Sequence, residues 1–145
     1  MGDAVAIARQ NVDLYNAADW DRFKALLAPG ATYEELSTQR RLGVDETIEA
    51  FKEWKRAFPD SKGTITKSIA SGDDVVLEVT WNGTQTGEMR GPLGTVPPSG
   101  KRVNVRAVQV IKVQGDKIAG AQHYFDLMTL LQQIGALPTP AGASS

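Results

Sequence analysis

The sequence predicts an α+β domain in which helices come first, antiparallel strands follow and one helix closes the chain. Three observations predict it. Apolar residues recur at three- and four-residue spacing up to Phe58, and from Thr64 onward they alternate with polar ones. Turn signals, Ser71-Gly72-Asp73-Asp74 and Gln114-Gly115-Asp116, separate the alternating runs. The segment Val103 to Asp126 reads as a hairpin whose inner wall is apolar apart from two polar residues.

Val5, Ala8, Val12 and Tyr15 form one stripe of a first helix that closes at Asn16. Asp19 caps a second, short helix, with Trp20, Phe23, Leu26 and Leu27 on its buried face and Pro29-Gly30 as its stop. Ala31 to Leu36 is a short extended piece, and Ser37 to Arg41 a polar loop. A third helix starts after Gly43 with Asp45 as its cap, and Ile48, Phe51, Trp54 and Phe58 make its stripe. Pro59-Asp60 ends it. Thr64 to Ala70 is a strand with Ile65 and Ile69 on one side. The next strand carries Val75, Leu77, Val79 and Trp81 and runs on to Thr86. Gly87 to Gly100 is a long glycine- and proline-rich loop, of a kind that is functional or packed on a partner.

In the hairpin the odd positions Val103, Val105, Ala107, Gln109, Ile111 and Val113 share a face, and so do Ala119, Ala121, His123 and Phe125. Small and polar residues on an apolar wall point to a small-molecule pocket rather than a packed core. Asp126 then caps a last helix with Leu127, Leu130, Leu131 and Ile134, stopped by Gly135 and Pro138. A curved sheet wrapped around a long helix leaves a conical cavity, closed at one end by the third helix and the tail.

The chain has 145 residues, 41% of them hydrophobic and 23% charged, with a net charge of −1 and no cysteine. Residues 1–138 read as one domain and 139–145 as a loose C-terminal tail. No basic stripe suits nucleic acid. No apolar run spans a membrane, and the N-terminus does not open a signal peptide, so the expected compartment is the cytoplasm. Disulfides and thiolate metal sites are excluded. A lone histidine with scattered acids gives no metal-ligand spacing. The glycine-rich loop lacks the lysine and following helix of a phosphate cradle.

Five stretches carry a resemblance to a known family: Trp81 to Gly87, Pro97 to Lys101, Gly115 to Ile118, Asp126 with Leu130 to Gly135, and Asn16 to Asp19 with Ala31 to Glu35. They resemble the SnoaL-like polyketide cyclases of the nuclear transport factor 2-like superfamily, which also holds ketosteroid isomerase. The resemblance implies a cone-shaped, curved antiparallel or mixed β-sheet wrapped around N-terminal helices, a cystatin-like α+β barrel. It implies no cofactor, a hydrophobic small-molecule ligand and a homodimer or higher homo-oligomer. Paired subunits would meet on the outer sheet face, where Asn104, Arg106, Val108, Val110 and Lys112 alternate. The ketosteroid isomerase pattern places its general base at Glu35, its oxyanion-hole acid at Gln109 and its tyrosine at Asn11. The cyclase pattern places an acid/base group at His123 or Asp126, and the family often has histidine where this chain has Gln85.

His123 is the natural acid/base near neutral pH, or else a hydrogen-bonded core histidine. Asp126 is a helix cap first and a proton shuttle second. Gln109 can donate a hydrogen bond to an enolate oxygen. Glu35, if it lies in a dry cavity, has a raised pKa and is a usable base; otherwise it is a solvated loop carboxylate. Tyr15, Phe23, Tyr33, Phe51, Trp54, Phe58 and Trp81, with Phe125, are candidate pocket walls. The expected activity is an acid/base, aldol-type cyclisation of a hydrophobic, polycyclic or polyketide-like carbonyl compound. The alternatives are an isomerase or hydrolase with Glu35 as base, and a non-catalytic ligand-binding or dimerisation module.

Overall fold

The structure, a computed structural model, describes residues 3–91 and 94–137. The tail at 139–145 and its closing role lie outside the described residues.

Helix α1 (Ala4–Asn16) is capped by Asp3, whose carboxylate accepts from Val5 N. Its inward stripe is Ile7, Ala8, Asn11, Val12 and Tyr15, so one amide sits among apolar side chains. Asp19 caps α2 (Trp20–Leu26) by accepting from Arg22 N. Phe23 is wholly buried in the core against Phe51 and does not line the main cavity.

Strand β1 (Leu27–Glu35) starts directly after α2 and is longer than the piece expected from Ala31. Pro29-Gly30 falls where the pairing of β1 with its neighbour shifts register, between Leu27 and Thr32. A proline is tolerated there because no ladder hydrogen bond is asked of it. The expected polar loop holds a 3-10 turn (Leu36–Thr38) and a short strand β2 (Arg40–Leu42). Helix α3 (Val44–Ala57) is capped at Gly43, not at Asp45: Gly43 N donates to the Glu46 carboxylate at 3.3 Å. Asp45 lies within the first turn, where a negative charge favours the helix N-terminus.

Strands β3 (Lys62–Ser71), β4 (Asp74–Thr84), β7 (Arg102–Gln114) and β8 (Lys117–Phe125) build the sheet, in the order β2-β1-β8-β7-β4-β3. All neighbours are antiparallel except β1 and β8. Ile69 is 51% exposed, because β3 is the edge strand and slips register between Ile65 and Lys67. The region Gly87 to Gly100 is not a bare loop: Met89–Gly91 (β5) and Gly94–Val96 (β6) pair as a small hairpin.

In β7 the odd positions Val103 to Val113 are all buried, as the alternation requires. In β8 the alternation breaks once. Lys112 pairs with Gly120 and Val113 with Ile118, so a bulge at Ala119 brings Ile118 to the core in its place. Beyond the bulge, Ala121 and His123 are buried and Phe125 is half-buried on the inner face.

The sheet curls around α1, which touches β3, β4, β7 and β8. One core cluster fills the closed end between α1, α3 and the sheet. A second lies at the other end, where α4 (Leu127–Gln133) sets Leu130 and Leu131 against Val103 and Val105. Gln133 fixes α4 to β7 by accepting from Asn104 N at 2.8 Å and donating to Asn104 O at 3.1 Å. Among the described residues no helix is long and apolar enough to cross a membrane.

Candidate active site

Between the two clusters lies a cavity, and the centres of water molecules can occupy about 80 Å³ of it. Tyr15 from α1, Tyr33 from β1 and Phe51 from α3 form one wall, their rings edge to face at centroid distances of 4.9 and 5.7 Å. Trp54, Phe58 and Phe125 form a second, and Trp81 closes the side next to Tyr15. Gln109 and His123 reach the cavity from β7 and β8, where they are direct cross-strand partners. Val103 and Val105 line it from the face the alternation turned inward, and Asn11, Ser61, Asn82 and Leu130, which the sequence did not single out as lining residues, complete the surface.

Trp81 has a fixed position. A Cβ on Gly63 would stand 2.7 Å from its ring, so only glycine lets the indole lie across β3. Asn16 holds that glycine with bonds to its N and O, each 2.8 Å. Trp81 Nε1 then donates to His123 Nε2 at 3.2 Å.

This bond decides the state of the histidine. An indole nitrogen only donates, so His123 Nε2 accepts and carries no proton. The proton of the neutral ring is on Nδ1, which lies 2.9 Å from the Tyr33 hydroxyl and donates to it. Tyr33 in turn donates to Glu35 Oε2 at 2.8 Å. The chain of donors thus runs from Trp81 through His123 and Tyr33 to the Glu35 carboxylate. Burial holds the His123 pKa down, offset only in part by the Glu35 charge, and brings it to about 4. Burial beside the carboxylate raises Tyr33 well above the usual phenol range.

Glu35 is fully buried but does not line the cavity. Its Oε1 accepts from Thr38 Oγ1 at 2.5 Å and Arg40 Nη2 at 2.9 Å, and its Oε2 from Tyr33 and from Trp54 Nε1 at 3.1 Å. Burial pushes its pKa up, but the Thr38 bond, the Arg40 charge and the Tyr33 bond outweigh this and hold it below the ordinary carboxylate value. The expected rise does not occur, because four donors stabilise the anion. Thr38 and Arg40 come from the segment read as a polar loop. No local pattern marks them as partners of a buried acid.

Asp126 is exposed and outside the cavity lining. Its carboxylate accepts from Thr129 N at 3.0 Å and Thr129 Oγ1 at 2.6 Å, which lowers its pKa. It is the cap of α4 and does not orient His123.

Gln109 accepts from Asn11 Nδ2 at 2.9 Å. The fully buried Gln85 has a different task. Its Nε2 donates to the carbonyls of Gly87, Val96 and Pro97 at 3.1–3.2 Å, and its Oε1 accepts from Ser99 N at 3.2 Å. It ties together the ends of the β5-β6 segment and does not line the cavity.

A helix-filled, curved mixed sheet enclosing an aromatic cavity is the fold of the nuclear transport factor 2-like and ketosteroid isomerase-like proteins. The family profile of the SnoaL-like polyketide cyclases matches residues 5–134, and the chain belongs to that family. A candidate hydroxylase of Streptomyces galilaeus, AclR, is similar in structure, with a TM-score of 0.82 at 22% identity over 96% of this chain and 85% of that one. A candidate SnoaL-like polyketide cyclase from Jannaschia sp. CCS1 also reaches 0.82, at 23% identity over 93% of each chain. A protein with a ketosteroid isomerase-like fold from Catenulispora acidiphila, in complex with trimethylamine, reaches 0.73 at 24% identity, over 92% of this chain and 97% of that one. These likenesses concern the fold. Among curated proteins, a guanylate kinase of Idiomarina loihiensis is 32% identical over 120 residues, 70% of this chain and 56% of that protein. The chain thus spans about half the length of that relative. Lys101 follows the glycine-rich loop, and the chain then enters β7 and not the helix a phosphate cradle needs.

Proposed function

We propose that this chain is a cofactor-independent enzyme that moves a proton beside a carbonyl group and closes a ring by intramolecular aldol addition. One observation carries the reading: Gln109 and His123 stand opposite each other on neighbouring strands and face one aromatic cavity. His123 Nε2, unprotonated at neutral pH, takes the proton next to the carbonyl once Trp81 Nε1 releases it. Gln109 Nε2 donates to the enolate oxygen. The enolate carbon attacks a second carbonyl of the same molecule, and the new alkoxide recovers the proton from His123. No atom is gained or lost. Tyr33 and Glu35 stabilise the transient imidazolium through Nδ1.

Glu35 as the base of an isomerase or hydrolase fits less well, since Tyr33 and Trp54 both donate to its Oε2 from the cavity wall. A second reading, a non-catalytic binder, is favoured by the engagement of both ring nitrogens of His123 within the protein.

The test is heptane-2,6-dione, which closes to a six-membered ring. The protein should accelerate the closure, and His123→Ala should lower kcat by about 10²–10⁴-fold with the fold intact by circular dichroism. Unchanged turnover in the variant removes His123 from the mechanism. Saturable binding without turnover in the unmodified protein establishes the binder.

A further inference from the structure

The Asn11–Gln109 pair says more about the ligand. One hydrogen bond joins the two amides, and no other partner of either side chain is present among the described residues. Two polar groups are left over, the Asn11 carbonyl oxygen and the Gln109 amide nitrogen. Among the described residues, Arg40 Nε alone is an enclosed side-chain polar atom without a partner. The two leftover atoms therefore touch open space. Asn11 is 4% exposed and Gln109 3%, and both line the cavity; Asn11 also borders a void of about 10 Å³ beside Phe23, at the lower limit for one water, so the space of ligand size open to both amides is the cavity. Exchanging O and N in both amides swaps the two roles and still leaves a donor beside an acceptor.

No residue lining the cavity is Asp, Glu, Lys or Arg. His123 Nε2 accepts from Trp81, the buried Glu35 carboxylate has its own four donors, and the Lys55 ammonium behind the Tyr15 ring, 4.6 Å from its centre, donates to the Ser61 carbonyl. A charged ligand would lose its hydration with no opposite charge on the cavity lining to replace it.

We infer that this cavity takes an uncharged compound with a hydrogen-bond acceptor next to a donor, as in a lactam, an enolised diketone or a hydroxy ketone. Its carbonyl accepts from Gln109, and its N–H or O–H donates to Asn11. The inference rests on the proposed function in one respect, that this cavity is the working site. The product of the ring closure, a β-hydroxy ketone, carries the same edge. A buried donor or acceptor left without its partner discriminates strongly against analogues that lack the matching group.

The experiment is calorimetric or ligand-observed NMR titration of the unmodified protein with 2-piperidone, N-methyl-2-piperidone, cyclohexanone and tetramethylammonium. The expected order puts 2-piperidone about tenfold tighter than the two that lack the N–H. Asn11→Leu should reduce 2-piperidone to the level of cyclohexanone. Gln109→Leu should weaken all three carbonyl compounds. Equal affinities for 2-piperidone and cyclohexanone in the unmodified protein would overturn the donor–acceptor edge, whatever the variants do. Tetramethylammonium bound tighter than 2-piperidone, held by the aromatic faces, would overturn the uncharged class. The ranking needs no turnover: a flat ranking with active ring closure defeats this inference alone, and the expected ranking without ring closure defeats only the enzyme.

Discussion

Gln85 and Gln109 are both buried glutamines on the long strands' side of the fold, and they serve opposite ends. Gln85 spends its amide on four backbone groups of the segment it anchors. Gln109 spends one bond on Asn11 and keeps its nitrogen for the cavity. The difference teaches how to separate scaffold from site. Burial and residue type are the same for the two, and the unspent hydrogen-bonding capacity differs. The same contrast applies to the acids, for Glu35 is saturated by donors and Asp126 is spent on a helix cap.

The sharpest way to break the contrast is to remove the amide at each glutamine. Gln85→Leu leaves three carbonyls and one N–H without their partner and should cost about 3 kcal/mol in urea unfolding, with faster proteolysis between Gly87 and Gly100. An equal loss at Gln109→Leu would erase the distinction. A comparable effect should come from acid. His123 titrates at about 4 in the fold against 6.5 as a free side chain, so the unfolded chain binds more protons between those values. Stability should therefore be complete above pH 6.5 and fall by about 3 kcal/mol as the pH drops toward 4. Glu35, whose pKa is also lowered, extends the loss to lower pH. His123→Gln should flatten the slope between the two values. Gln109→Leu, with one bond to lose, should cost about 1 kcal/mol of stability while weakening carbonyl ligands about tenfold. Asp126→Ala should cost about 1 kcal/mol through the lost cap and leave ligand binding as it was.

Much of this was legible in the chain because a strand has a period of two. The alternation from Val103 to Val113 places Gln109 on the inner wall, and that of the following strand places His123 there too. Tyr15, Phe51, Trp54 and Phe58 follow from the helix stripes, with Phe23 the exception, taken into the core, and Trp81 and Phe125 follow from strand alternation. What alternation cannot show is a bulge, and the one at Ala119 exchanged it for Ile118. It also cannot show contacts that loop closure makes. The seal on Glu35 depends on Thr38 and Arg40 folding back from a stretch that looks polar and featureless. Asn11 meets Gln109 across 98 residues, a pairing no local period encodes. The β5-β6 hairpin was hidden because glycine and proline signal turns, and here the two three-residue strands run between such turns.

The central claim is that the donor chain from Trp81 to Glu35 leaves His123 Nε2 as an unprotonated acceptor at the cavity. It can be read directly, because the chain has a single histidine. A long-range ¹H–¹⁵N correlation spectrum of the uniformly ¹⁵N-labelled protein reports which ring nitrogen carries the proton. The account predicts one neutral Nδ1–H tautomer from pH 8 down to about 5, with the Nε2 resonance moving when 2-piperidone is added. An imidazolium at pH 6.5, or a proton on Nε2 at neutral pH, would contradict it.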